Sequence, residues 1–82
     1  MLIINALEEV RISNRKGPSF IIENPITCTN FSHLIGQDAR ITSASGAEYF
    51  GRIIGVERFA HAEPWWAGDK IALLMEALES KP

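Results

Sequence analysis

The residues with the chemistry to act as a site are few and scattered. His61-Ala62-Glu63-Pro64 has the His-x-Glu spacing used in zinc-dependent deamination, where histidine binds the metal and glutamate shuttles the proton. That site also needs a downstream Pro-Cys-x-x-Cys, and no cysteine follows Cys28. Cys28 and His33 have the types for a thiolate–imidazole pair, but no local signature flags the cysteine, and an unpaired cysteine commonly behaves as a small buried hydrophobe. Ser45-Gly46 lacks the Gly-x-Ser-x-Gly context of a nucleophile elbow and reads as a turn. Gly46, Gly51 and Gly55 do not form a phosphate loop, which packs its glycines between a strand and a helix start. No catalytic residue, metal ligand or cofactor is assigned on these grounds.

Trp65-Trp66 is the stronger signal. Two adjacent indoles between Pro64 and Gly68 are hard to place together in one small core, and aromatics are enriched at recognition hot spots. Arg58, Phe59 and His61 precede them closely enough to form a rim. The expected binding residues are therefore Trp65, Trp66, Arg58, Phe59 and His61. The competing reading makes one tryptophan a cap on the core and sets the other against a neighbouring subunit.

The elements that must carry this loop are mostly strands. Glu9-Val10-Arg11-Ile12-Ser13 alternates apolar and polar residues with the period of two of a half-buried strand. Asn14 to Pro18 is rich in turn formers. Ser19 to Glu23 is β-branched and aromatic, and it stops at Asn24-Pro25; the two runs make a hairpin. Ile26 to Thr29 reads as a further short strand, and Asn30 to Gly36 as a single helical turn with an asparagine cap and a closing glycine. Asp38 to Thr42, a turn at residues 43–46, and a long strand from Ala47 to Phe59 follow. Gly51 and Gly55 inside that strand signal a bulge, a bend or a close backbone approach, and hence a sheet that curls on itself. The segment 69–80 has two readings. Ile71, Leu74, Met75 and Leu78 fall at helical spacing with Asp69 as a cap, whereas Ile71 to Met75 is also an unbroken apolar run suited to a buried strand. Periodicity favours the helix.

Eighty-two residues make one domain with a thin stability margin. One cysteine forbids an internal disulfide, and one cysteine with two histidines is too few for a structural zinc site. Self-association is the remaining common support for so short a chain, and a 46% hydrophobic composition agrees, so a homo-oligomer is expected. The net charge of −2 disfavours nucleic acid, whose partners concentrate basic charge on one face. The nearest basic cluster, Arg11, Arg15 and Lys16, follows Glu8 and Glu9 and reads as a solvated hairpin. No apolar run reaches the ~18–20 residues of a membrane helix. The start, MLIINALEEV, has neither the basic region nor the cleavage site of a signal peptide, so the expected location is the cytoplasm.

The central stretch resembles the SH3-like barrel of plasmid-borne, trimethoprim-resistant (type II) dihydrofolate reductase. The residues that carry this are Arg40-Ile41, Ser45-Gly46-Ala47, Tyr49, Gly51 and Ile53-Ile54-Gly55, with Ala77-Leu78-Glu79 near the end. The resemblance covers about a quarter of the chain and implies a scaffold. It does not imply the activity, because Ser43 stands where that family has its site lysine. Lys70-Ile71-Ala72-Leu73 likewise stand where it has the Val-Gln-Ile-Tyr lining of its tetramer pore. Genes of that type travel as mobile gene cassettes, which also encode many other small proteins, and a similar origin would suit this chain.

The expected fold is mainly β: a small SH3-like barrel with an added N-terminal hairpin, comprising a hairpin region at about 1–30, a central barrel hairpin at about 36–59 and a C-terminal segment at 69–80. The alternative is α+β, with a C-terminal helix on a curled antiparallel sheet. The expected function is a self-associating binding module that recognises a protein or small-molecule partner through the aromatic loop. Two alternatives stand beside it. One is an enzyme whose site forms between subunits, drawing on Lys70, Glu63, His61 and Tyr49. The other is a nucleic-acid-binding barrel.

Overall fold

The computed structural model describes residues 1–10, 17–58 and 64–77. They form six strands: β1 (Leu2–Asn5), β2 (Glu8–Val10), β3 (Ser19–Glu23), β4 (Asp38–Thr42), β5 (Glu48–Arg58) and β6 (Lys70–Ala77). These make one mixed sheet in the order β1-β4-β5-β6-β3-β2. The mainly β class expected from the sequence is the one found. The hairpin of β2 and β3 is antiparallel, with Glu9 opposite Phe20. The central hairpin of β4 and β5 runs from Asp38 opposite Arg52 to Thr42 opposite Glu48.

The two ends of the sheet order are consecutive in the chain, and this sets its shape. Five inter-strand spacings of ~4.8 Å would hold the edges of a flat six-stranded sheet about 24 Å apart. Yet Asn5 ends β1 and Glu8 begins β2, a step of at most roughly 11 Å. The sheet therefore curls until its edges nearly meet. Backbone bonds at the junction agree: the Ala6 N–H donates to Thr42 O at the end of β4, and the Leu7 N–H donates to Ile21 O on β3, both at 2.8 Å. The curl draws Phe20, Ile22, Ala39, Ile41, Ile53, Ile71, Leu73 and Met75 into one core.

The glycines of β5 act as their position suggested. The register against β6 slips between Ile53 and Gly55, so Ile54 is the extra residue of a β-bulge and is half exposed. A Cβ on Gly51 would stand 2.7 Å from Glu76 O on the neighbouring strand, so a side chain there is incompatible with this strand spacing.

Three expectations are corrected. Residues 70–77 are a strand, not a helix. β6 lies between β5 and β3, and Ile71 to Met75 are all buried, so the strand is covered on both faces and its sequence is continuously apolar. The helical spacing is a subset of that run. The segment Ile26 to Thr29 contributes only an isolated bridge, between Cys28 and Trp65. The sheet is also not the antiparallel one of the α+β alternative: β1, which the sequence did not mark as a separate strand, pairs parallel with β4, with Leu2 opposite Ala39.

The turn at 30–36 forms as expected. Asn30 Oδ1 accepts from the Ser32 N–H (3.1 Å), the Ile35 N–H donates to Phe31 O (3.0 Å), and Gly36 ends the turn at φ 91°. It buries Phe31 and Leu34.

Candidate functional site

The aromatic loop runs between β5 and β6, and its geometry divides the two tryptophans. Trp65 is 7% exposed and belongs to the core, whereas Trp66 is 60% exposed. The Trp65 ring meets Phe31 at 5.4 Å between centroids, with the planes tilted by 42°. The Arg58 guanidinium lies 4.6 Å from the Trp65 ring centre and 5.6 Å from that of Phe31, within cation–π reach of both. His33 sits beside Phe31, with centroids 6.1 Å apart. Of the five expected site residues, Arg58 and Trp65 are thus brought together, and Trp66 is presented to solvent. Phe59 and His61 lie outside the described residues.

The polypeptide under Trp66 is held from several directions. Cys28 and Trp65 exchange backbone bonds, N to O at 2.9 Å and 2.8 Å. The Trp66 N–H donates to Asp69 Oδ2 (2.9 Å), and the Ala67 N–H donates to Thr27 Oγ1 (3.0 Å). Gly68 turns the chain at φ 92° and donates to Asn24 O (2.8 Å), while the Asn24 N–H donates to Asp69 O (2.7 Å). Asn24 is the centre of this arrangement. Its side chain is buried, and Nδ2 donates to both Trp65 O (3.1 Å) and Trp66 O (3.2 Å), with Cys28 Sγ at 3.7 Å. Sequence reasoning treated Asn24-Pro25 only as a strand stop. A polar residue ending an apolar strand was the available signal, but nothing in the sequence says that it reaches forty residues ahead.

The other candidates are not assembled into chemistry. Cys28 Sγ meets Asn24, and His33 lies against Phe31; no contact joins the cysteine to the histidine among the described residues. Ser45 is exposed, its hydroxyl 2.9 Å from that of Ser43, in a turn closed by Gly46 N–H to Ser43 O (2.9 Å). Tyr49 and Lys70 stand towards opposite ends of the β5–β6 ladder, more than roughly 20 Å apart at the strand rise; His61 and Glu63 lie outside the described residues. No group of three or more His, Cys, Asp or Glu side chains is positioned for a metal among the described residues. No helix among them is long and apolar enough to cross a membrane.

A separate cleft of about 280 Å³ opens beside Tyr49, lined by Glu9, Phe20, Ser43 and Glu48 among others. The Tyr49 hydroxyl has no hydrogen-bond partner among the described residues. Burial, reinforced by the nearby Glu76 carboxylate, pushes its pKa above the ordinary value of 10.0.

No family model, curated protein or solved structure matches the chain.

Proposed function

We propose that this chain is a non-enzymatic interaction module, built on a small SH3-like barrel, that self-associates and recognises a protein or small-molecule partner through the loop bearing Trp66. One observation carries the reading: the backbone of residues 65–69 is fixed by bonds to Asn24, Thr27, Cys28 and Asp69, yet its largest side chain is 60% exposed. A held loop pays little ordering entropy on binding, and an exposed indole on such a loop offers large contact area with few rotatable bonds. The stack of Arg58, Trp65 and Phe31 is the rigid base beneath it. The barrel reading is supported by the chain continuity between the outer strands β1 and β2.

The competing functions have less support. A site drawing on Tyr49 and Lys70 would need them from different copies, because one copy holds them towards opposite ends of the β5–β6 ladder. Nucleic-acid binding draws on free cations, and the described arginines are engaged: Arg40 pairs with Glu48 (3.4 Å), Arg52 pairs with Asp38 (3.0 Å), and Arg58 faces the aromatic stack; Arg11, Arg15 and Lys16 lie outside the described residues.

The test is a peptide library panned on the native chain with counter-selection on Trp66→Ala. Because Trp66 is mostly exposed, the variant should stay within about 0.5 kcal/mol of native stability. Binders that lose at least tenfold in affinity on Trp66→Ala, about 1.4 kcal/mol, are expected. A set of binders indifferent to Trp66 refutes the reading.

A further inference from the structure

Where the sheet curls shut, it leaves a seam. Successive residues of a strand direct their N–H and C=O groups to opposite sides, and Ala6 bonds to β4 while Leu7 bonds to β3. Counting back, Leu2 and Ile4 face β4, and Ile3 and Asn5 face the β3 side. Among the described residues β1 pairs with β4 alone, and neither Ile3 nor Asn5 forms a backbone–backbone bond on that side. The chain diverges from β3 there, and a groove of about 360 Å³ opens, walled by Ile3, Ile4, Leu7, Ile22 and Pro25 with Glu23 at its side.

The outward face of this strand is apolar at every position but Asn5, where a solvated face would be polar throughout. Met1, Ile3 and Leu7 alternate along it and are 55%, 72% and 45% exposed, and Ile26, next to Pro25, is 51% exposed. The run MLIINAL has the pattern of a strand covered on both faces. An open edge carrying such a face invites another strand.

We propose that a second copy of this chain occupies the seam, with β1 pairing antiparallel to β1 about a two-fold axis at Ile3. This rests on the self-association in the proposed function and names its surface, which is separate from Trp66. Two features favour a second copy over a foreign peptide. β1 has no charged side chain, so identical strands meet without like-charge repulsion. The pairing is also self-complementary: with the axis at Ile3, Ile3 lies opposite Ile3 and Asn5 opposite Met1 of the second copy, so the open amides and carbonyls of Ile3 and Asn5 all find partners and the Met1 and Ile3 side chains gain neighbours.

Solution mass by light scattering, over about a hundredfold dilution, tests this on the native chain and on Ile3→Lys and Trp66→Ala. The native chain should give twice 9.1 kDa at the high end. Ile3→Lys places two ammonium groups at the axis and should raise the dimer dissociation constant at least about tenfold, with an unchanged circular dichroism spectrum. Trp66→Ala should leave the dimer intact. Ile3→Thr, which keeps a β-branched residue in the strand, gives the same reading if the lysine variant does not fold. A native dimer that persists in the Ile3 variants, or one that dissociates on Trp66→Ala, overturns the seam and leaves self-association standing. A native monomer at every concentration overturns both.

Discussion

Asn24→Ala is the substitution that most directly probes how the loop is held. It removes the two bonds from Nδ2 to Trp65 O and Trp66 O, at 3.1 Å and 3.2 Å. Each carbonyl keeps a second donor, Cys28 N for Trp65 and Asp69 N for Trp66, so neither is orphaned. The loss is therefore that of two net hydrogen bonds, about 0.5–1.5 kcal/mol each. It is partly offset because Asn24 Oδ1 is itself buried without a partner among the described residues and disappears with the side chain. A net loss of about 2 kcal/mol corresponds to a fall in Tm of roughly 8–16 °C for a domain of this size, read by thermal circular dichroism. Asn24→Asp has nearly the same shape and separates hydrogen bonding from packing. A protonated carboxyl can still donate one bond, but a carboxylate would face two carbonyl oxygens, so the folded pKa of the introduced acid lies above the ~3.9 of a free aspartate. Between those values the native state holds a proton that the unfolded chain has lost, so the stability of this variant falls as pH rises above ~4. If Asn24→Ala shifts Tm by less than about 2 °C, or Asn24→Asp shows no extra loss with rising pH, the loop is held by its backbone bonds alone.

Two further outcomes follow from the sheet. Gly51→Ala brings a Cβ 2.7 Å from Glu76 O and 2.6 Å from the Tyr49 ring, so the β5–β6 spacing must give; a loss of about 1–3 kcal/mol is expected by chemical denaturation. Gly55→Ala, whose nearest neighbour is the movable Leu74 Cδ1 at 3.2 Å, should cost less, and equal losses would refute the backbone-contact account. Tyr49 is the single tyrosine, so an absorbance titration reports it alone. Burial and then Glu76 raise its pKa from 10.0, and the native chain keeps a proton that the unfolded chain releases. Stability is full below ~10 and is lost as pH rises beyond it; a folded-state midpoint at or below 10 would contradict the buried hydroxyl.

What could be read from the sequence was what depends on neighbours along the chain. The hairpin at 8–23, the central hairpin at 38–58, the bulge near Gly55 and the capped turn at Asn30 are local, and each carries its own alternation, cap or glycine. β6 stayed ambiguous, with periodicity leaning to the wrong one of two readings, because the discriminating fact is its place between β5 and β3. A strand covered on both faces loses its period of two, and among apolar residues some will always fall at helical spacing. The tryptophan pair was legible as a loop feature, but which indole enters the core is decided by Phe31 and Arg58, thirty-four and seven positions from Trp65 respectively.

β1 is the most instructive of the missed elements, because its pattern was visible and its meaning was not. MLIINAL has too few polar residues to alternate, so it carries no strand period, and its pairing with β4 joins residues thirty-seven apart in sequence (Leu2 with Ala39). A parallel partner at that distance leaves no local mark. Once the strand is placed, the same lack of alternation becomes informative. One face of β1 packs on the core through Leu2 and Ile4, which accounts for half of the apolar run. The other half, Met1, Ile3 and Leu7, is exposed and has no use inside one copy. A short domain has little apolar surface to spare, and here part of the exposed apolar surface lies along an edge strand whose backbone is open on one side among the described residues. Side chains and main chain thus call for the same remedy at the same place, and another β-strand supplies both.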